Sequence, residues 1–405
     1  MYIMKQKILF AILFPLVTIS IVKAQSPYIS KVFDYRPAPG QFVNELPQYK
    51  PGDTQDDMNR KAQECIAGDE KILISLGGYG GYVLFGFDHM IENVPRKFDF
   101  RISGNAFYAN ANPNPDAPRE GGSCEPGIVT VSYDANGNGL PDDEWYELAG
   151  SEYYKPETIK NYRLTYYKPD ENKIKEPMPD YPFINDMTYI KWESNQGDEG
   201  YVYRNTFHAQ SYYPQWINDE TLIFEGTKLA DNYTDESGEG SYYVQYAYPW
   251  GYADNHPNTD NRSCFDIGWA VDKEGSSVKL PGIHFVKVYT GVNQYCGWLG
   301  ETSTEIMGAE DLHIQGIDIN VPGYMSDRAD MNSFSGAKVY CYNRVLYLNN
   351  LDGYSCSIIS VTGRVERNFN IHSPNENLHL NLSSGIYILR AQKQSAFKLF
   401  KFIIH

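Results

Sequence analysis

Basic residues are scarce in this 405-residue chain, where 35 Lys and Arg stand against 51 Asp and Glu, a formal charge of −16. A protein that follows nucleic-acid phosphates draws its affinity from clustered Lys and Arg, so the balance argues against a nucleic-acid partner and suits divalent cations instead. Histidine is sparse too, at eight residues, and none stands in a His-Glu-x-x-His pattern, which leaves a zinc hydrolase without its ligand pair. No C-x-x-C pair occurs among the six cysteines, weakening zinc-site and dithiol redox readings. No Gly-x-Ser-x-Gly elbow is present for an α/β hydrolase. The glycines of "SLGGYGGYVLFGFDH", residues 75–89, lead into an extended apolar run rather than Gly-Lys-Ser/Thr and a helix. They mark a turn, not a phosphate cradle.

Long apolar runs are missing except at the start. "MYIMKQKILFAILFPLVTISIVKAQ" sets Lys5 and Lys7 before an apolar run from Ile8 to Val22, with Val22 and Ala24 at cleavage-type positions. That run is too short to cross about 30 Å of hydrocarbon as a helix. The pattern is that of a secretory signal peptide over residues 1–24, and no Cys follows Ala24 to take a lipid. A mature chain from Gln25 is therefore expected to be exported, with no membrane-spanning segment. In that oxidising compartment Cys65, Cys124, Cys264, Cys296, Cys341 and Cys356 are open to disulfide formation, with fifteen pairings if all six join.

Tyrosine is abundant at 34 residues, beside 34 Gly and 23 Pro. Aromatic and β-branched runs broken by Gly, Pro, Asn and Asp predict short strands. Such runs are "FDFRISGNAF", "GIVTVSYD", "EWYELAG", "YRLTYY", "YIKW", "TLIFEG", "SYYVQYAY", "FDIGWAVD" and "HFVKVYTG". Only "DDMNRKAQECIAG", residues 56–68, reads as a helix, with Met58, Ala62, Cys65 and Ile66 on one face. Many strands and little helix predict an all-β, jelly-roll-like β-sandwich, and the absence of a fixed repeat period disfavours propellers and solenoids. The expected organisation is an N-terminal extension with a short helix over 25–69, a calcium-binding β-sandwich region over 70–320, a linker over 321–337 and a small C-terminal β-sandwich over 338–405.

The calcium expectation comes from "VSYDANGNGLPDDEWYELAG", residues 131–150. Asp134, Asn136, Asn138 and Asp142 place side-chain oxygens at positions 1, 3, 5 and 9 of a loop, with the Leu140 carbonyl at 7 and Gly139 at 6. This opening follows the EF-hand recipe for an ion that takes six to eight hard oxygens. Its ending departs, since Trp145 stands at position 12 where a bidentate Glu belongs. Extended segments flank the loop in place of helices, so it is closer to strand-loop-strand calcium loops. With no His ligand or general base nearby, the ion is expected to be structural.

For ligand binding, aromatic residues beside polar ones draw attention. "FHAQSYYPQW" holds Phe207, His208, Tyr212, Tyr213 and Trp216, and "YAYPWGYADNHPN" holds Tyr248, Trp250, Tyr252, Asp254 and Asn255. Sugar rings stack their C–H faces on such side chains while Asp and Asn take the hydroxyls. Trp216, Trp250, Tyr252 and Asp254 are the expected contacts because their Pro, Gly and Asn neighbours place them on loops. A second acidic group is expected in "GETSTEIMGAEDLHIQGIDI" from Glu301, Glu305 and Asp311. Paired carboxylates among Glu144, Glu147, Asp254, Asp266, Asp272, Glu301, Glu305, Glu310 and Asp311 leave a glycoside hydrolase open as the enzyme alternative. Cys296 reads as a buried or disulfide cysteine rather than a nucleophile.

At the C-terminus, "VLYLNNL", "SIISVTGRV", "LNLSSGIYILRA" and "KLFKFIIH" resemble the type A C-terminal sorting domain of type IX secretion substrates. That resemblance covers roughly residues 336–405 and implies a small β-sandwich that addresses its cargo across a bacterial outer membrane. The region from about 70 to 315, through "GFDHMI", "DFRISGNAF", "WGYADN" and "GETSTEIMGAEDLH" among others, is similar to bacterial cell-surface proteins on a jelly-roll, galactose-binding-like plan. It implies a structural calcium and carbohydrate binding, and supplies no catalytic residues to carry over. The expectation is a secreted, non-catalytic surface protein that binds a carbohydrate. Capture of a small nutrient such as a corrinoid for an outer-membrane transporter is the alternative.

Overall fold

In the computed structural model, residues 25–109, 120–326, 337–393 and 396–404 are described. The expected signal peptide and most of the expected linker lie outside them. The chain is all-β, and every strand pair in its sheets is antiparallel. The largest sheet has six strands in the order Lys31–Arg36, Tyr82–Glu92, Gly282–Thr290, Gly127–Ser132, Trp145–Leu148 and Ala270–Val271. A second sheet runs Glu199–Asn205, Ile184–Ser194, Ile159–Tyr167 and Thr221–Lys228.

Alternation in the strand sequences decides which side chains meet. Val83, Phe85, Phe87 and Ile91 are buried at every second position or so of Tyr82–Glu92, as a pleated strand with one core face requires. They join Val129, Val131, Val286 and Val288 of the same sheet and Leu164, Tyr166, Leu222 and Phe224 of the other in one buried cluster. The sheets are pinned where Tyr79 Oη donates to Tyr162 O at 3.1 Å and Tyr166 Oη donates to Tyr79 O at 3.2 Å. Gly80, at φ +83°, sits in this contact, and a Cβ there would fall 2.3 Å from Phe224 Cβ. Only glycine satisfies both the backbone and the space.

The helix forms at Gln55–Ile66, capped by a reciprocal Thr54 and Asp57 box. Met58, Ala62 and Ile66 enter the same core cluster as the sheets, and Lys31–Arg36 is an edge strand of the largest sheet. Residues 25–69 are thus built into the main body rather than appended to it. "FDIGWAVD" also differs from the single strand expected. Asp266 accepts from Gly268 N at 2.7 Å, capping a 3₁₀ turn over Ile267–Trp269 that separates two short strands, Cys264–Phe265 and Ala270–Val271. All six cysteines are free.

Residues from 337 onward build a three-stranded sheet of Lys338–Tyr342, Val345–Asn349 and Asn375–His379. Beside it stands a four-stranded one of Val365–Asn370, Ser355–Ser360, Gly385–Lys393 and Ala396–Ile404. Their buried side chains, among them Leu346, Ile358, Leu389 and Phe402, form a cluster that shares no member with the main core. Each unit therefore carries its own apolar burial. Leu389→Ala is expected to cost about 2–5 kcal/mol and to lower the melting transition of the smaller unit alone, while Phe85→Ala lowers only that of the larger, both read by calorimetry.

Candidate functional site

Loops and short strands of the main body line a cavity of about 450 Å³. Its lining comes from distant parts of the chain, with Gln41 and Phe42, Ser123 and Glu125, Phe207 and His208, Gln245, and the segment from Cys296 to Glu305. Chain segments carrying the carboxyls meet at Asp254. Its backbone carbonyl accepts from Glu125 N at 2.8 Å, and its Oδ2 accepts from Glu305 N at 2.9 Å. Its Oδ1 accepts from Asn105 N and Ala106 N, both at 2.8 Å. A Cβ on Gly104 would lie 2.3 Å from that Oδ1, so the approach depends on glycine.

These contacts gather the Glu125, Asp254 and Glu305 carboxyls so that one oxygen of each lies within 4.8 Å of the others. Glu125 and Glu305 are hydrogen bonded to each other through their side chains. Burial raises the pKa of all three, and for Asp254 and Glu305 the Glu125 charge adds to it. Glu301 joins them on the cavity wall. Its Oε1 accepts from Gln41 N at 2.7 Å, while Oε2 is buried with no hydrogen-bond partner among the described residues. Burial pushes the Glu301 carboxyl up to about 8. Among the described residues, no Lys or Arg lines the cavity.

The rim is aromatic. Phe207 is 66% exposed and Trp298 40%, and Phe42 meets His208 edge-on with centroids 4.6 Å apart. Gln245 of the wall and Gln294 donate from Nε2 to Thr302 Oγ1 at 2.8 and 2.9 Å. That network fixes the wall without filling the cavity. A second cavity of about 410 Å³ contains Glu147, Lys160 and Lys287. There Glu147 already accepts from Thr227 Oγ1 at 2.6 Å and sits 3.8 Å from Lys160, so its charges are matched internally.

Of the four expected ligand contacts, Asp254 belongs to the acidic group of the first cavity, and the three aromatic ones are packed inside. Trp216 is 8% exposed, stacks on Tyr35 with centroids 6.0 Å apart and donates from Nε1 to Gln55 Oε1. Trp250 lies against Trp269, and Tyr252 Oη accepts from Glu152 N at 3.0 Å. Exposed ring faces come instead from Phe207 and Trp298. Of the second acidic group, Glu301 and Glu305 reach the cavity, whereas Asp311 is 2.8 Å from His89 Nε2. Glu125 escaped the sequence reading. Flanked by Cys124 and Pro126, it carries no local signal of its role.

The expected metal loop joins strands Gly127–Ser132 and Trp145–Leu148 of one antiparallel pair. Gly137 and Gly139 curl it at φ 70° and 71°. Asp134 accepts from Asn138 N and Gly139 N at 3.1 and 2.9 Å, and Asn138 Oδ1 accepts from Leu140 N at 2.7 Å. Asn136 and Asn138 donate their side-chain amides to Asp142, which holds its carboxyl below the usual range. The five residues share one exposed loop whose polar groups satisfy one another.

Burial also settles Cys296, whose thiol is pushed up to about 12 and lies 3.6 Å from Thr302 Oγ1. At neutral pH the folded protein is expected to leave Cys296 unlabelled by an alkylating reagent over the time in which denatured protein reacts fully, as read by mass spectrometry. Trp216→Ala is expected to cost about 3–5 kcal/mol of stability, measured by denaturant unfolding. No family model and no curated protein matches this chain.

Proposed function

We propose that this is a secreted cell-surface protein whose main body captures a small, hydroxyl-rich ring compound, a saccharide in the first instance, in the cavity between Phe207, Trp298 and the Glu125, Glu301 and Glu305 carboxyls. The observation that carries the reading is the pairing of exposed rings with buried carboxyls in one 450 Å³ space. Such a volume falls in the range of small-molecule sites, about 300–1,000 Å³. Aromatic faces take the apolar side of a sugar ring, and carboxyl and amide groups take its hydroxyls. Export is supported by the leader-like residues 1–24 and by the sorting-domain resemblance of the C-terminal unit. A binding role is better supported than glycoside hydrolysis. Glu125 and Glu305 touch directly, whereas the two carboxyls of a glycosidase stand about 5–9.5 Å apart across the bond they cleave.

The loop over 134–142 is, in this reading, a structural calcium loop. Asp134 and Asp142 supply charge, Asn136, Asn138 and the Leu140 carbonyl supply neutral oxygens, and a half-turn of each Asn amide exchanges its nitrogen for an oxygen. Calcium is expected to raise the melting temperature, and Asp134→Asn with Asp142→Asn to reduce that gain.

Titration of a mono- and oligosaccharide panel, followed by calorimetry, tests the cavity. Saturable binding is expected, weakened about tenfold by Trp298→Ala or Phe207→Ala, or about 1.4 kcal/mol each. Release of reducing sugar would favour the hydrolase, and a panel without any saturable binding would end the saccharide reading.

A further inference from the structure

We infer that the Glu125, Asp254 and Glu305 carboxyls hold a divalent cation, calcium before magnesium, at the floor of the cavity. The site is separate from the loop over 134–142, and it goes beyond the saccharide reading because it does not depend on which compound the rim takes. The first support is span. Calcium binds oxygens at about 2.3–2.6 Å, so two ligands on opposite sides of one ion stand roughly 4.8 Å apart. Three oxygens that all lie within 4.8 Å of one another therefore fit a single coordination shell. Magnesium, with bonds of about 2.0–2.1 Å and strict octahedral geometry, requires a tighter gathering.

The second support is charge. Asp254 is 3% exposed and Glu305 5%, and among the described residues no Lys or Arg lines the cavity to neutralise them. Like charges this close and this buried demand protons or a cation. One proton answers the Glu125 and Glu305 contact. The three backbone N–H donors on Asp254 favour its ionised form, in opposition to its burial. A single divalent ion answers both, and it leaves the backbone contacts of Asp254 in place.

Glu301 is the third support and is independent of the trio's own geometry. It is 8% exposed and lines the same cavity, and its Oε2 is buried with no hydrogen-bond partner among the described residues. A buried acceptor left without a donor is costly, and a water bound to the cation would serve it. The donor set is oxygen only. Cys296 is tied to Thr302, and no His belongs to the trio, so a hard cation is selected over zinc. Ser123 Oγ, 3.1 Å from Glu125 Oε2, adds an oxygen beside the trio.

The test is metal counting on the full chain in an Asp134→Asn, Asp142→Asn background, which disables the loop. After dialysis against calcium, that background is expected to retain one calcium per chain by elemental analysis, and Glu305→Gln added to it none. Melting in chelator and in calcium gives a second readout with a reversed sign. Without metal, Glu305→Gln removes a carboxyl contact and should melt at or above its parent, while calcium should raise the parent's melting temperature only. Should Glu305→Gln fail to fold, Glu125→Gln is judged by the same criteria. Absence of calcium and magnesium from the loop-disabled protein, or equal retention in the Gln variants, would overturn the inference. The loop reading fails differently, through unchanged calcium content when only the loop is altered.

Discussion

Asp254 is the residue on which the architecture of the cavity depends. It sits at φ 51°, a left-handed conformation that costs a non-glycine residue about 1–2 kcal/mol. Its main chain and carboxylate together bind four backbone N–H groups, those of Asn105, Ala106, Glu125 and Glu305. Three segments more than a hundred residues apart in the extreme are thereby held in one place. The same bonds bring two further carboxyls against Asp254 in a region of low dielectric. Local strain and uncompensated acidity thus coincide where binding chemistry is most plausible physically.

The two sheets supply the rigidity that such a site needs. Their contact through Tyr79, Tyr162, Tyr166 and Phe224 is dense, hydrogen bonded at the Tyr79 and Tyr166 hydroxyls and closed at Gly80. Loops issuing from that frame carry Phe207, Trp298 and Glu301 to the cavity mouth and wall. The network through Gln245, Gln294 and Thr302 then fixes the wall. Aromatic residues consequently divide into two populations. Some, among them Tyr35, Tyr79, Tyr162, Tyr166, Trp216 and Trp269, are buried in the frame, while Phe207 and Trp298 are exposed at the rim.

That division explains which parts of the site were legible. "FHAQSYYPQW" was a sound place to look for rings, yet Trp216, the largest of them, turns inward onto Tyr35 while Phe207 stays out. A Trp beside Pro looks like a loop residue in the sequence whether the loop faces solvent or covers the core. Glu301 and Glu305 stand out in an acidic stretch and Asp254 on an aromatic loop, and all three reach one small region. Glu125 was missed because its partners, Asp254 and Glu305, lie 129 and 180 residues away. In the loop over 134–142, by contrast, all five residues lie within nine positions, and the spacing itself places them together.

By itself, then, the sequence determined the all-β class, most strand positions, the capped helix and the short loop over 134–142. Each of these follows from periodicity or turn chemistry acting over a few residues. Tertiary structure alone decided which aromatic rings are covered, that residues 25–69 belong to the main core, that Glu125, Glu301 and Glu305 border one space, and that Asp254 gathers with Glu125 and Glu305. Those outcomes depend on the pairing of distant strands and on burial competing between similar side chains, and neither quantity is written in any short stretch of the chain.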